Sequence, residues 1–146
     1  MTQATRRRHE HEALRAHIER IRVAAREIPT LSPGERKAVL ARVVDFLHGT
    51  LELHVAEGER TLYPAIAGLL GDSQATETMA LDHEAIRARS TALELADPAD
   101  DARLQELLYG LHALISVHVW KEEVEYLPLL EKRELAPYVA ELRLAG

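Results

Sequence analysis

The sequence predicts an all-α fold: an up-down-up-down four-helix bundle with a short C-terminal helical tail. Three observations predict it. The composition leans to Ala, Leu, Glu and Arg, with one Phe and one Trp, which favours helices over strands. Four long segments repeat apolar residues at alternating spacings of three and four, the mark of one buried helix face. Cap and breaker residues fall between those segments. At 146 residues the chain has the size of one domain with a real core, so a single domain is expected over 1–146.

The first stripe runs His11, Leu14, Ile18, Ile21, Ala25, Ile28, and Pro29 ends it. Ser32 then reads as an N-cap, Pro33 as the first helical residue and Glu35 as the closure of a capping box. The second stripe is Leu40, Val44, Leu47, Leu51, His54, Gly58, with Pro64 expected to end or kink the helix. Gly71–Ser73 punctuates the chain before a third stripe, Met79, His83, Ile86, Ser90, Leu93. Asp97 and Pro98 repeat the cap-plus-proline start. The fourth stripe is Leu104, Leu108, Leu111, Ile115, His118, Glu122, stopped by Pro128. A stretch at about 129–143 reads as one or two short helices around Pro137.

Several classes are disfavoured. A formal net charge of −6 argues against nucleic acid as a partner. Without Cys there are no disulfides, thiolate metal sites or cysteine nucleophiles. No apolar run reaches the roughly 18–20 residues of a membrane span, and the arginines near the N-terminus precede no signal-like apolar stretch. A cytoplasmic location is the expectation, with no membrane partner.

A histidine lies on every stripe. Singly, each would be a core imidazole bonded to a carbonyl. Four facing one another would cost free energy unless each nitrogen found a partner, and a shared metal supplies one. Antiparallel topology sets His11 beside His54 and His83 beside His118. At about 1.5 Å rise per residue the levels of His11 and His54 agree to roughly 4–5 Å, whereas His17 misses by about 13 Å. His83 and His118 match less well, to about 9 Å. "HEALRA" (11–16) also resembles "HEAIRA" (83–88), pairing His11 with His83. His17 is therefore placed on the flank, and His9, His48 and His112 at the surface or rim. Glu122, four residues after His118, shares that face one turn along. A buried salt bridge is its alternative role, but its stripe shows no Lys or Arg at that level, so it reads as a ligand. Tyr63 and Tyr126, beside the closing prolines, read as packing residues near the site.

The stretches "HVAEGERTLYP" (54–64) and "HVWKEEVEYLP" (118–128) form a near-double, each with the lone His of the preceding helix before it. This ordered set resembles the hemerythrin-like family, the HHE cation-binding domain, over roughly residues 8–130. The resemblance implies a four-helix bundle holding two non-heme irons, with histidines in terminal positions and the two HxxxE carboxylates bridging. Carried over, it implicates His11, His54, His83, His118 and Glu122, while the remaining carboxylate position is Gly58. Three readings of that glycine stay open. Glu57, at i+3 from His54, could substitute; water, hydroxide or an external carboxylate could fill a more open di-iron site; or one metal could bind, held mainly by histidines. Loss of the site is the alternative to all three. As a small residue, Gly58 would also open a path for a small ligand.

The expected function is that of an iron protein, with two non-heme irons, that binds or reacts with dioxygen, peroxide or nitric oxide; whether it turns over as an enzyme stays open. A structural mononuclear zinc or iron in a binding module is the alternative, since four histidines could hold zinc. A metal-free adaptor pairing through Tyr138, Val139 and Leu142 is a third reading. No protein partner is identified by the sequence.

Overall fold

The computed structural model of the protein describes residues 1–144, and among them there is no strand. Helix α1 (Gln3–Glu27) starts on Thr2, whose side chain accepts from the Thr5 amide, and closes in a 3-10 turn, Ile28–Thr30. Helix α2 (Pro33–Phe46) begins with the predicted capping box: Glu35 N donates to Ser32 Oγ at 3.3 Å and Ser32 N to Glu35 Oε2 at 2.8 Å. The chain then runs on in one helical rod. A π turn (Leu47–Leu51) leads to α3 (Glu52–Glu57), and a second π turn (Gly58–Leu62) leads to α4 (Tyr63–Leu70). Gly71 ends that rod at φ 65°, a left-handed C-cap that suits glycine. Helix α5 (Glu77–Leu95) and helix α6 (Asp101–Lys121) follow. A third π turn (Glu122–Tyr126) joins α6 to α7 (Leu127–Leu144).

The bundle is the one expected, with α6 packed against both α1 and α5. All members of the first, third and fourth stripes are buried. The second differs at its start: α2 buries Val43 and Phe46, while Leu40 and Val44 are only half-buried. The π turn at Leu47–Leu51 inserts a residue and rotates the face that precedes it.

The prolines act differently from the sequence reading. Pro64 and Pro128 neither end nor stop a helix; each is the second residue of α4 or α7. A proline lacks the N–H that would continue the ladder, and the π turn just before each has already broken it. Pro137 likewise lies inside α7, which is one helix rather than two. The cap of α6 is Asp100, which accepts from Arg103 N, while Asp97 instead accepts from Ala99 N in the turn before it.

Two apolar clusters stack along the bundle. The larger includes Leu14, Ile21, Leu51, Ile86, Leu108 and Ile115; the smaller includes Ala4, Leu62, Ile66, Met79, Leu127 and Leu130. On every rod the histidine of the stripe lies between them, so the fold holds a polar layer inside an apolar sleeve. No helix among the described residues is long and apolar enough to cross a membrane.

Candidate metal centre

Each rod contributes one imidazole to that layer: His11 from α1, His54 from α3, His83 from α5 and His118 from α6. Glu122, the first residue of the third π turn, stands among them. All five are buried, His54 at 5 % exposure and the others at 0 %. Their Nε2 atoms face Glu122. On its Oε2 side His11 Nε2 is 2.9 Å away and His54 Nε2 is 3.7 Å away. On its Oε1 side His118 Nε2 lies at 3.4 Å, and His83 Nε2 is 3.4 Å from His118 Nε2.

The Nδ1 atoms face outward, each toward a carboxylate. His83 Nδ1 is 2.7 Å from Glu59 and His11 Nδ1 3.2 Å from Glu123. His54 Nδ1 lies 3.5 Å from Glu10 and His118 Nδ1 3.7 Å from Asp82. The pattern follows the internal repeat. The residue before each lone histidine backs a histidine of an HVxxx stretch, and the residue five beyond that histidine backs a lone one. Each carboxylate has its own cation: Arg15 on Glu123, Arg87 on Glu59, Lys121 on Asp82, and Arg6 and Arg7 on Glu10. A carboxylate behind an imidazole fixes its tautomer and turns its other nitrogen inward as an acceptor, the arrangement that orients metal-binding histidines.

Two further residues reach Glu122. Arg7, one turn before His11 and 4 % exposed, donates from Nε to Oε2 at 2.8 Å and from Nη2 to Oε1 at 2.9 Å. Its Nη1 donates to the His54 carbonyl at 2.9 Å. Tyr63 donates its hydroxyl to Glu122 Oε1 at 2.6 Å, with its oxygen 3.3 Å from His83 Nε2 and 3.5 Å from His118 Nε2. Glu122 therefore does have a buried salt bridge, correcting the inference that no cation sits at its level. The cation comes from another helix, which one stripe cannot reveal. Gly58 is not an open path either. A β-carbon there would stand 2.8 Å from Arg7 Nη2 and 3.2 Å from the Tyr63 ring, so those two side chains fill the space.

The electrostatics follow from burial and these partners. Burial disfavours the Glu122 anion, but its contacts with His11 and His118 and the hydrogen bonds from Arg7 outweigh it and hold the carboxyl well below its usual range. Burial pushes the His54 imidazole down to about 4, against the pull of Glu10 and helped by the charge of Arg7. Burial and the neighbouring His118 also lower His83. Burial beside the Glu122 charge raises Tyr63, so its hydroxyl keeps its proton.

The layer fits a cation. The ligand atoms of His11, His54 and Glu122 lie within 4.8 Å of one another. Both ring nitrogens of His54 are buried without a hydrogen-bond partner among the described residues, and such an imidazole is costly unless something else binds it. Two imidazoles and one carboxylate form a donor set suited to a divalent transition metal.

Other expected residues lie elsewhere. Glu57 does not join the histidines: its carboxylate pairs with Arg6 and Arg60 and accepts from Thr61. At i+3 the helix turns it to the rim. His17 stacks on Phe46, with ring centroids 4.8 Å apart, and His48 pairs with Glu94 at the surface. Tyr126 donates to the Ala75 carbonyl at 3.2 Å, whereas Tyr63 belongs to the centre. The sequence reading missed Arg7, Glu10, Glu59, Asp82 and Glu123. Their signal was periodicity for Arg7, at i−4 from His11, and the matched positions in the two halves for the carboxylates.

A cavity of about 260 Å³ lined by Leu47, Leu51, Val55, Ile86 and Ser90 reaches His83. A larger cleft, about 740 Å³, lies away from the centre around His17 and Phe46. Searches of curated proteins and of solved structures returned no match. A family model described as "Hemerythrin HHE cation binding domain" matches residues 5–130. With its bundle and its His/Glu cluster, the chain belongs to the hemerythrin HHE cation-binding domain family.

Proposed function

We infer that this domain binds non-heme iron in its buried histidine layer and takes a small oxidant there: dioxygen, peroxide or nitric oxide. The observation that carries the reading is the His11–His54–Glu122 group, with inward Nε2 atoms and a carboxylate behind each imidazole. Iron held there would supply open coordination positions and a change of oxidation state.

The chain's own residues define the rest. Glu59 and Glu123 hold His83 and His11 by hydrogen bonds at Nδ1, and Glu10 and Asp82 face the Nδ1 atoms of His54 and His118. The two apolar clusters keep bulk water from the layer, which strengthens every charge interaction in it. Tyr63 keeps its hydroxyl proton on the Glu122 side of the layer. The cavity beside Val55 and His83 is sized for a small ligand's approach.

The test is anaerobic reconstitution with ferrous iron, desalting, elemental analysis, and nitric oxide addition followed by absorption and electron spin resonance. Retained iron with a nitrosyl signal, both lost in His54→Ala, is the expected result. A chain that retains no iron would leave Arg7, Glu122 and Tyr63 as a polar core and overturn the reading.

A further inference from the structure

The two halves of the repeat differ at three inward positions that touch one another. Gly58 stands opposite Glu122 in the alignment of the HVxxx stretches, and Tyr63 opposite Leu127. Aligning the lone histidines sets Arg7 opposite Met79. Met79 and Leu127 are buried apolar residues of the smaller cluster. In the first half both positions are polar, and both side chains close on Glu122 and against the α-carbon of Gly58. Where the second half has a carboxylate, the first has a fitted guanidinium and phenol.

The exchange changes the charge of the layer. A carboxylate at position 58 would add one negative charge, whereas Arg7 adds a positive one. The Arg7 fork gives one N–H to each oxygen of Glu122, the two places from which a bridging carboxylate would bind two cations. The outer carboxylates offer little compensation, because each already has another Arg or Lys: Arg15, Arg87, Lys121 and, for Glu10, Arg6. Two divalent ions would meet one carboxylate already neutralised, and uncompensated buried charge is strongly disfavoured. The halves also differ in vacancy. Tyr63 Oη lies within 3.5 Å of His83 Nε2 and His118 Nε2, whereas the inward Nε2 of His54 has no hydrogen-bond partner among the described residues.

We propose that the centre is mononuclear by construction: one divalent cation binds on His11, His54 and Glu122 Oε2, while Tyr63 stands where a second would meet His83 and His118 and Arg7 fills the room of the second carboxylate. This rests on the metal-binding reading above and sets its stoichiometry and place. Arg7 and Tyr63 are positioning residues, acting through Glu122.

Cobalt(II) alone, titrated anaerobically into metal-free protein, tests it through its visible d–d absorption, with cobalt per chain measured after desalting. Wild type should saturate at one cobalt per chain. His54→Ala should lose the bands, and His83→Ala should keep one equivalent. Arg7→Met and Tyr63→Leu combined with Gly58→Glu should take two. No cobalt in wild type would overturn the metal-binding reading itself. Two equivalents in wild type would overturn this inference and leave that reading standing, as would a site lost in His83→Ala and kept in His54→Ala. A folded triple variant that still takes one equivalent would remove Arg7 and Tyr63 as the cause. Should circular dichroism show that variant unfolded, the wild type and the two histidine variants still decide the stoichiometry and the place.

Discussion

Arg7 Nη2 stands 2.8 Å from the point where a β-carbon on Gly58 would lie. The two residues are separated by most of a helix pair in sequence, yet each makes sense only with the other. The guanidinium needs the missing side chain's room, and the glycine is buried because the guanidinium covers it.

Gly58→Ala should therefore destabilise the metal-free protein. An alanine in a helix interior ordinarily gains about 0.5–1 kcal/mol over glycine. Here the neighbours are pinned to Glu122 and cannot withdraw, so overpacking of about 1–3 kcal/mol outweighs that gain. Gly68→Ala, with nothing within 4 Å, should show the ordinary stabilisation. Urea denaturation of both variants checks the opposite signs.

Tyr63→Phe removes the donor 2.6 Å from a buried carboxylate while keeping the ring. A cost of about 1.5–3 kcal/mol is expected for a hydrogen bond to a charged group. Tyr126→Phe, whose partner is a neutral carbonyl, should cost about 0.5–1.5 kcal/mol. Equal losses in denaturant unfolding would deny Tyr63 its special relation to Glu122.

Glu123→Gln should leave the bundle intact and weaken metal binding by about 10–100-fold, since its carboxylate orients His11 from behind, whereas Glu59→Gln, behind His83, should leave the affinity unchanged. Competition with a chromogenic chelator measures it. Affinity unchanged in Glu123→Gln would mean the His11 Nδ1 contact does not serve a metal.

The metal-free protein should lose stability as pH falls from about 6.5 to about 4. His54 titrates at about 4 when folded and near 6.5 when unfolded. Across that window the unfolded chain takes up the proton and the folded one does not, so acid favours unfolding, by about 3 kcal/mol in all. Burial lowers His83 in the same direction. Glu122, held well below its usual range, adds a further loss only at still lower pH. Denaturation at pH 7 and 4.5 should show the drop, and His54→Asn should reduce it.

Much of this was legible in the sequence because helix periodicity is local. The stripes through Leu14, Ile86 and Leu108 placed the core, and the same spacing put a histidine on each rod. Ser32 and Glu35 announced their capping box three residues apart. The matching halves also carried the pattern of Glu59 and Glu123, each five residues beyond a histidine and so turned away from it on its own helix. Each in fact serves the histidine of another helix.

The sequence by itself determined the bundle and which imidazoles face inward, since both follow from 3.6 residues per turn. Only the tertiary structure decided what surrounds Glu122. The guanidinium of Arg7 and the hydroxyl of Tyr63 come from different rods, and two π turns shift the register that a regular helix would predict. Contacts between helices depend on rotation and depth, which a stripe does not encode. The physical reason is that a buried charge is satisfied in space rather than along the chain.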